Sequence, residues 1–523
     1  MTDFNKTLTD KAAVREGNHK DARDLIKGLL FNFLGMVAKV SKVLFVFVAA
    51  KYYGATALGL YFLAWSAIDI SSKFGLWGMD KSMIRDITRF GKETSPQAHQ
   101  KILSIMYFNV RVSLLLSIVA ATGIFFLSSW VAETVFRDPQ LTMPMQILSF
   151  AIPFIVITQV LIATTKALRL MQYEVLVRQG IEPLVLLLGA VSLLPFSLGA
   201  VGLVTAHIFA SFIAAISAMV VVFRKYRYLG WHPKPLDKAM KRDIFRYTSP
   251  IAAMDFLNLL VARTDIFLVG ALMNSTSAGL YGIAVEIISV IKRIRQGFEP
   301  IFSPIVSELF YNREKERLKR NYVLVTRWLM AGSFLPVIAM LLFPDQILAF
   351  FKIQSTQTAH ALMVLAFAHG LFGTFSAAES LLVMTGKTLL NASLGMLMLV
   401  VNVVIAFLLI PKFGLVGAAL GTLAAFAIVS VGRLYHGYKQ IHLLPFSTSL
   451  FWPLVTAVVT SGIFYFLKNW FQINSIVETI SVFIVMIVLY AIVYFLGASE
   501  PEEKHLITNV KHKFRKSSVI VGS

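Results

Sequence analysis

The stretch NLLVARTDIFLVGALM, residues 258–273, is long and apolar enough to lie in a membrane, yet Arg263 and Asp265 stand in its middle. A charge at mid-bilayer costs about 2.5–3.5 kcal/mol even on lenient insertion scales, so it normally faces a water-filled space or a partner. Residues two apart on a helix point roughly 200° apart, which prevents Arg263 and Asp265 from pairing with each other. Asp265 instead shares a stripe with Asp255 and Asn258, while Arg263 projects the other way. One helix therefore serves two polar environments.

The rest of the chain supports the membrane reading. Of 523 residues, 57% are hydrophobic and only 15% charged, and the mean hydropathy is +0.71. Many apolar runs approach the roughly 20 residues that a crossing helix needs. A polytopic all-α membrane protein is the class that satisfies its own backbone in lipid. The absence of cysteine removes disulfides and thiol chemistry and leaves the redox compartment open. The polar opening, MTDFNKTLTDKAAVREGNHKDARDLIKG, has no apolar core or small-residue cleavage site and does not read as a cleaved signal peptide.

Apolar runs between loop signals predict about fourteen transmembrane helices, from 28–50 to 475–497. If both termini face the cytoplasm, the inner segments hold 36 lysines and arginines, whereas the outer loops hold only Lys51, Arg137, Lys352, Lys412 and Lys468. Basic residues collect in cytoplasmic loops, so the imbalance sets the orientation and explains the net charge of +21 without nucleic acid. Eight basic residues fall within the proposed spans: Lys39, Lys42, Lys73, Arg111, Arg263, Lys292, Arg293 and Arg295.

The chain also repeats itself. ATALGLYFLAWSAIDI opens the second span and STSAGLYGIAVEIISV the eighth, with their Gly-Leu-Tyr triplets 220 residues apart. FSLGAVGLVTAHIFASFI and PKFGLVGAALGTLAAFAI correspond at about 215 residues. Each repeat holds six spans, an even number, so the halves share orientation and a pseudo-twofold runs along the membrane normal. The expected organisation is a cytoplasmic segment 1–27, a six-helix lobe 28–223, a linker 224–246 and a second lobe 247–433. Two further helices within 449–497 and a basic cytoplasmic tail 498–523 follow. Such two-lobed transporters hold a central cavity and alternate access by rocking.

These residues carry a resemblance. GATALGLYFLAWSAIDI, RTDIFLVGALMNSTSAGLYGIAVEI, FEPIFSPIVSELF and IPKFGLVGAALGTLAAF, in this order and spacing, resemble the polysaccharide-transporter branch of the multidrug/oligosaccharidyl-lipid/polysaccharide exporter superfamily, which includes the O-antigen-type flippases. The resemblance implies movement of polyprenyl-diphosphate-linked oligosaccharide from the cytoplasmic to the outer leaflet of the cell's inner membrane, without ATP hydrolysis. It implies lipid-linked oligosaccharide and membrane lipids as partners, with a glycan polymerase and other assembly proteins of the lipopolysaccharide type beside them.

Lys39, Lys42, Lys73, Arg111, Arg263 and Arg293 are the residues expected to line a cationic substrate cavity. Lys39 and Lys42 share one stripe, and no acid lies on their helix. Lys73 follows Asp69 by four residues, so a local ion pair competes with the cavity role. Arg111 lies too deep in its span for easy snorkelling, and Arg293 shares a face with Glu286, Ser289 and Gln296. Arginine and lysine hold diphosphate or carboxylate oxygens by charge-assisted hydrogen bonds, and a positive cavity would repel organic cations.

The Asp255–Asn258–Asp265 stripe could hold Na⁺ or exchange H⁺ as a coupling ion; alternatively, it only satisfies polar neighbours. Glu379, near one face with His369 and Ser376, is a further candidate for proton or ion exchange, with a satisfied buried histidine as the simpler reading. No cofactor or metal cluster is expected. No nucleotide-cradling glycine loop or nucleophile elbow occurs, so the chain does not read as an enzyme. A lipid II-type flippase, a multidrug exporter of the same superfamily and a non-transporting scaffold of a glycan-assembly complex are the competing functions.

Overall fold

The computed structural model describes residues 41–91, 95–168, 170–230, 233–470 and 476–497. Lys39, the segment 1–27 and the tail 498–523 lie outside the described residues. Among the described residues the chain is helical throughout, with no strand. Ten helices among the described residues are long and apolar enough to cross a membrane, or eleven when one bent pair counts as a span. The protein is thus a multi-pass helical membrane protein, as its composition requires.

Contacts divide the chain into two units that meet in sequence at Gly279 and Leu280. In the first unit, a π-helical turn Ala49–Tyr53 leads into α1, Gly54–Leu76. Gly54 at φ +86° makes the corner at no steric cost. Left-handed Trp77 and Gly78 then stop α1 and start α2, Met79–Phe90. This helix buries Met79, Ser82, Met83, Asp86 and Ile87, an i, i+3, i+4 face, and exposes Arg89. It falls in a stretch whose charge marked it as a loop.

α3, Pro96–Trp130, begins with a Ser95 side-chain cap and proline in its first turn. α4, Thr142–Ser149, and α5, Ala151–Ala167, replace the single expected span 142–165; the two segments are bent by 42° at Phe150. A π-helical stretch Val175–Ile181 precedes α6, Glu182–Ser192, and α7 covers Ala200–Tyr226.

α8, Lys238–Leu272, starts nine residues before the expected span, since Asp237 caps its first turn by accepting from the Met240 amide. The second part of the basic segment 224–246 is therefore helical. α8 and the first turn of α9, Ser275–Tyr311, pack on α1. Arg263 is thereby placed in the first unit.

One contact in this unit follows the sequence repeat. Thr56 and Thr276, 220 residues apart, share a hydroxyl hydrogen bond of 2.8 Å. Gly59 and Gly279, also 220 apart, lie at the same crossing. A Cβ on Gly59 would come within 1.7 Å of the Ser275 carbonyl oxygen, and one on Gly279 within 2.1 Å of the Ala55 oxygen. Only glycine permits this approach, as small residues do between membrane helices generally.

In the second unit, α10 is Lys315–Leu342, α11 Thr356–Thr374, α12 Ala377–Met384, α13 Thr388–Phe413 and α14 Leu415–Ile441. α14 lies close on α13 because Gly417 meets the Leu409 carbonyl and Gly421 meets Ala406. The motif GLVGAALG is thus a packing surface. Phe302, Tyr322, Leu329, Leu381 and Val429 belong to one core. α15, Phe451–Trp470, and α16, Ile476–Gly497, dock through Phe464, Met486 and Tyr490, whose hydroxyl donates to the Ala331 carbonyl at 2.8 Å.

Candidate functional site

Each unit holds its own charge cluster. In the first, Asp69 projects from α1 and Arg263 from α8. The guanidinium places Nη2 at 2.7 Å and Nε at 3.2 Å from the same carboxylate oxygen. Asp69 therefore pairs with Arg263 and not with Lys73 four residues on. The planar fork of arginine brings two donors to one acceptor, which a lysine cannot match. Lys73 turns instead to α5, where its ammonium donates to Gln159 Oε1 at 3.4 Å. Arg263, expected to stand alone toward cargo, has its charge balanced by Asp69 and keeps 24% side-chain exposure.

Beside this pair lies a polar network that sequence reasoning missed. His207 of α7 is buried, with Nδ1 2.8 Å from the Tyr61 hydroxyl and its ring stacked on Trp65 at 4.1 Å. Lys42 is exposed. A lone histidine in an apolar run carried no spacing signal; its tyrosine and tryptophan partners stand on another helix.

Arg111 is exposed on α3, as is Tyr107 one turn earlier. No described residue forms an ion pair with it. At 1.5 Å per residue it lies about 22 Å along the helix from Pro96, well beyond side-chain reach of that end. An exposed guanidinium at that depth needs a hydrated or anionic surrounding.

The stripe of α8 is less uniform than expected. Asp255 and Asp265 are half-buried and Asn258 is exposed. Asp255 acts electrostatically on Lys81, which also pairs with Asp80 at 3.1 Å. Part of the stripe therefore has a basic neighbour. Among the described residues no three histidine or acidic side chains form a metal-holding group.

In the second unit Glu379 of α12 is shared by two arginines. Arg295 of α9 donates Nη1 to its Oε2 at 3.3 Å, and Arg433 of α14 lies 2.9 Å from the same oxygen. Arg433 also donates Nε to Asn391 at 3.1 Å and is only 4% exposed. Both guanidinium groups lie over the Phe372 ring, at 5.3 and 5.4 Å, and that ring stacks on Phe426. Two cations, one anion and an aromatic face make a cluster with a net positive charge, in which Arg433 is buried while Arg295 and Glu379 are each 30% exposed. A small cavity beside it is lined by Arg295, Phe298, Glu299, Ser376 and Glu379.

His369, Ser376 and Glu379 do not form a relay: His369 meets Phe426 edge-on, and Ser376 donates to the Gly373 carbonyl. Arg293 lies 3.9 Å from Glu286, the acid on its own face. Arg433 stands about two turns before the end of its helix, which continues past it to Ile441.

Both clusters present basic groups suited to phosphate or carboxylate oxygens, and no nucleophile with an activating base accompanies them. The family model described as polysaccharide biosynthesis protein matches residues 56–351. The "Probable low-salt glycan biosynthesis flippase Agl15" of Haloferax volcanii is 21% identical over 279 residues, covering 50% of this chain and 57% of that protein. The chain thus spans just over half the length of this curated relative. Lipid II flippase MurJ in an inward closed conformation superposes with a TM-score of 0.72 at 13% identity, over 90% of this chain and 97% of that one. An inward-facing multidrug resistance MATE family transporter of the MOP superfamily gives 0.65 at 15% identity, over 77% and 94%. These superpositions show a common fold.

Proposed function

This chain belongs to the polysaccharide biosynthesis protein family, within the polysaccharide-flippase group of the MOP superfamily, and we propose that it is a flippase for lipid-linked oligosaccharide. The cargo is a polyprenyl-diphosphate-linked glycan of the O-antigen type, moved from the cytoplasmic to the outer leaflet by alternating access through a cationic central cavity. Family membership carries this reading. The described basic residues add chemical support: exposed Arg111, exposed Lys42 and the net positive Arg295–Glu379–Arg433 cluster suit an anionic diphosphate. They disfavour an exporter of organic cations. A lipid II-type cargo shares the diphosphate and differs only in its sugars.

Fourteen spans, two six-helix repeats and cytoplasmic termini complete the proposal. The self-matched contacts at Thr56–Thr276 and Gly59–Gly279 support the repeat, because a twofold brings equivalent residues together. Any coupling to Na⁺ or H⁺ is assigned to the Asp255–Asn258–Asp265 stripe, since the two arginines already compensate the charge of Glu379. The chain acts as a conduit and not as an enzyme, in the inner membrane beside a glycan polymerase. Deletion of the gene should leave a lipid-linked oligosaccharide accumulating on the cytoplasmic leaflet. Unchanged leaflet distribution of every lipid-linked glycan would overturn the proposal.

A further inference from the structure

The start of α8 is fastened to α2 by an arginine that belongs to neither charge cluster. Arg85 of α2 donates Nε and Nη2 to the two carboxylate oxygens of Asp86, at 2.7 and 3.1 Å. The same Nη2 donates to Asp243 of α8 at 2.8 Å, and the guanidinium lies 4.1 Å over the Tyr247 ring. Asp243 and Tyr247 are one helical turn apart, so one face of α8 offers an anion and an aromatic ring to one arginine. Nearby, Trp77 donates Nε1 to the Ser249 hydroxyl at 3.3 Å. A Cβ on Gly78 would meet the Thr248 carbonyl oxygen at 2.9 Å, so the corner between α1 and α2 sits directly against this turn of α8.

The two carboxylates have unequal roles. Asp86 is fully buried; it accepts from the Ser82 hydroxyl at 2.8 Å, and Asn109 of α3 donates to that serine at 3.3 Å. Asp243 is half exposed. Breaking the Asp243 contact leaves Arg85 paired with Asp86, which avoids the cost of a buried charge without its partner. A pair to an exposed acid is also weak, so it opens and re-forms readily. Pro250 follows inside α8; lacking an N–H, it removes the helical bond to the Arg246 carbonyl and loosens the first three turns from the rest.

Asp69 and Arg263 lie farther along the same two helices, about 12 Å from Trp77 on α1 and about 20 Å from Ser249 on α8 at 1.5 Å per residue. α2 and the linker 224–246 are among the segments that the distribution of basic residues assigns to the cytoplasm. At the opposite end of α1, backbones touch at Gly59 and Gly279. The two ends are closed by different chemistry.

We propose that Arg85 is the latch of a cytoplasmic gate, holding the first three turns of α8 closed across the approach to the Asp69–Arg263 pair. Such a gate rests on the alternating-access reading of the protein. Release of Asp243 lets these turns leave α2 while Arg85 stays on Asp86, and the glycine contact keeps the outer end shut.

The chain has no cysteine, so a single introduced thiol reports its own surroundings. Ser249→Cys places one at a half-buried position beneath Trp77; in a separate protein, Thr276→Cys places one at the outer crossing. Labelling of the full chain by a membrane-impermeant maleimide is timed in inside-out vesicles for the first and right-side-out vesicles for the second. Adding Asp243→Asn should raise the rate at position 249 by up to about fivefold, the shift an exposed ion pair supplies, and leave position 276 unchanged. Tyr247→Ala should act in the same direction, whereas Asp243→Glu, which keeps the carboxylate, should return the parent rate. An unchanged rate at position 249 in Asp243→Asn, or an equal rise at both positions, would overturn the latch. These rates are read without cargo, so the latch can fail while the leaflet distribution of lipid-linked glycan still supports flipping, and the reverse.

Discussion

The Asp69–Arg263 pair of the first unit and the Arg295–Glu379–Arg433 cluster of the second solve the same problem differently. Both place arginine within a hydrophobic helical protein. In the first, one carboxylate meets one guanidinium, each side chain is about a fifth to a quarter exposed, and the charges cancel. In the second, one carboxylate meets two guanidiniums, one of them almost fully buried, and a positive charge is left over. A balanced, hydrated pair can open and re-form at small cost. In the triad Arg295 and Glu379 are each 30% exposed and only Arg433 is desolvated, so taking away the acid leaves one buried cation without its carboxylate.

That difference orders the expected consequences of mutation. Glu379→Gln should be the most damaging, lowering stability by about 3–5 kcal/mol, as loss of one partner from a buried ionic group does. Thermal unfolding in detergent measures it, and a second change, Arg295→Gln, should recover part of the loss by removing the surplus charge. If Glu379→Gln unfolds like the parent protein, the triad is not what holds α9, α12 and α14 together. Asp69→Asn should cost less, about 1–2 kcal/mol, because water screens its partner. A double-mutant cycle with Arg263→Gln should show coupling, and additive losses would separate the two residues energetically. Lys73→Met should change stability by no more than about 0.5 kcal/mol, since a single long bond to Gln159 is all it loses. A transport defect in that stable variant would mark Lys73 as a cargo contact.

Much of the architecture was legible from composition, periodicity and repeats. The glycine motifs at 59 and 279 pointed to a repeat, and the structure shows the physical reason for them: backbones that touch where no Cβ fits. Geometry on one helix also excluded the Arg263–Asp265 pair. What sequence could not supply was the partner on another helix. Asp69 and Arg263 are 194 residues apart, and i, i+4 spacing favoured Lys73 because local pairs are the only pairs a sequence displays. Arg433 shows the same limit: its carboxylate and aromatic partners lie on other helices, where no spacing in the sequence displays them.

The central claim is that basic residues along the spans serve an anionic lipid-linked cargo. It is tested most directly by export of that lipid in cells carrying Lys39→Ala, Arg111→Ala and Arg263→Ala together, with the inserted protein quantified in the same membranes. The prediction is normal insertion with lipid-linked oligosaccharide retained on the cytoplasmic leaflet. Parental export by the well-expressed triple variant would contradict it.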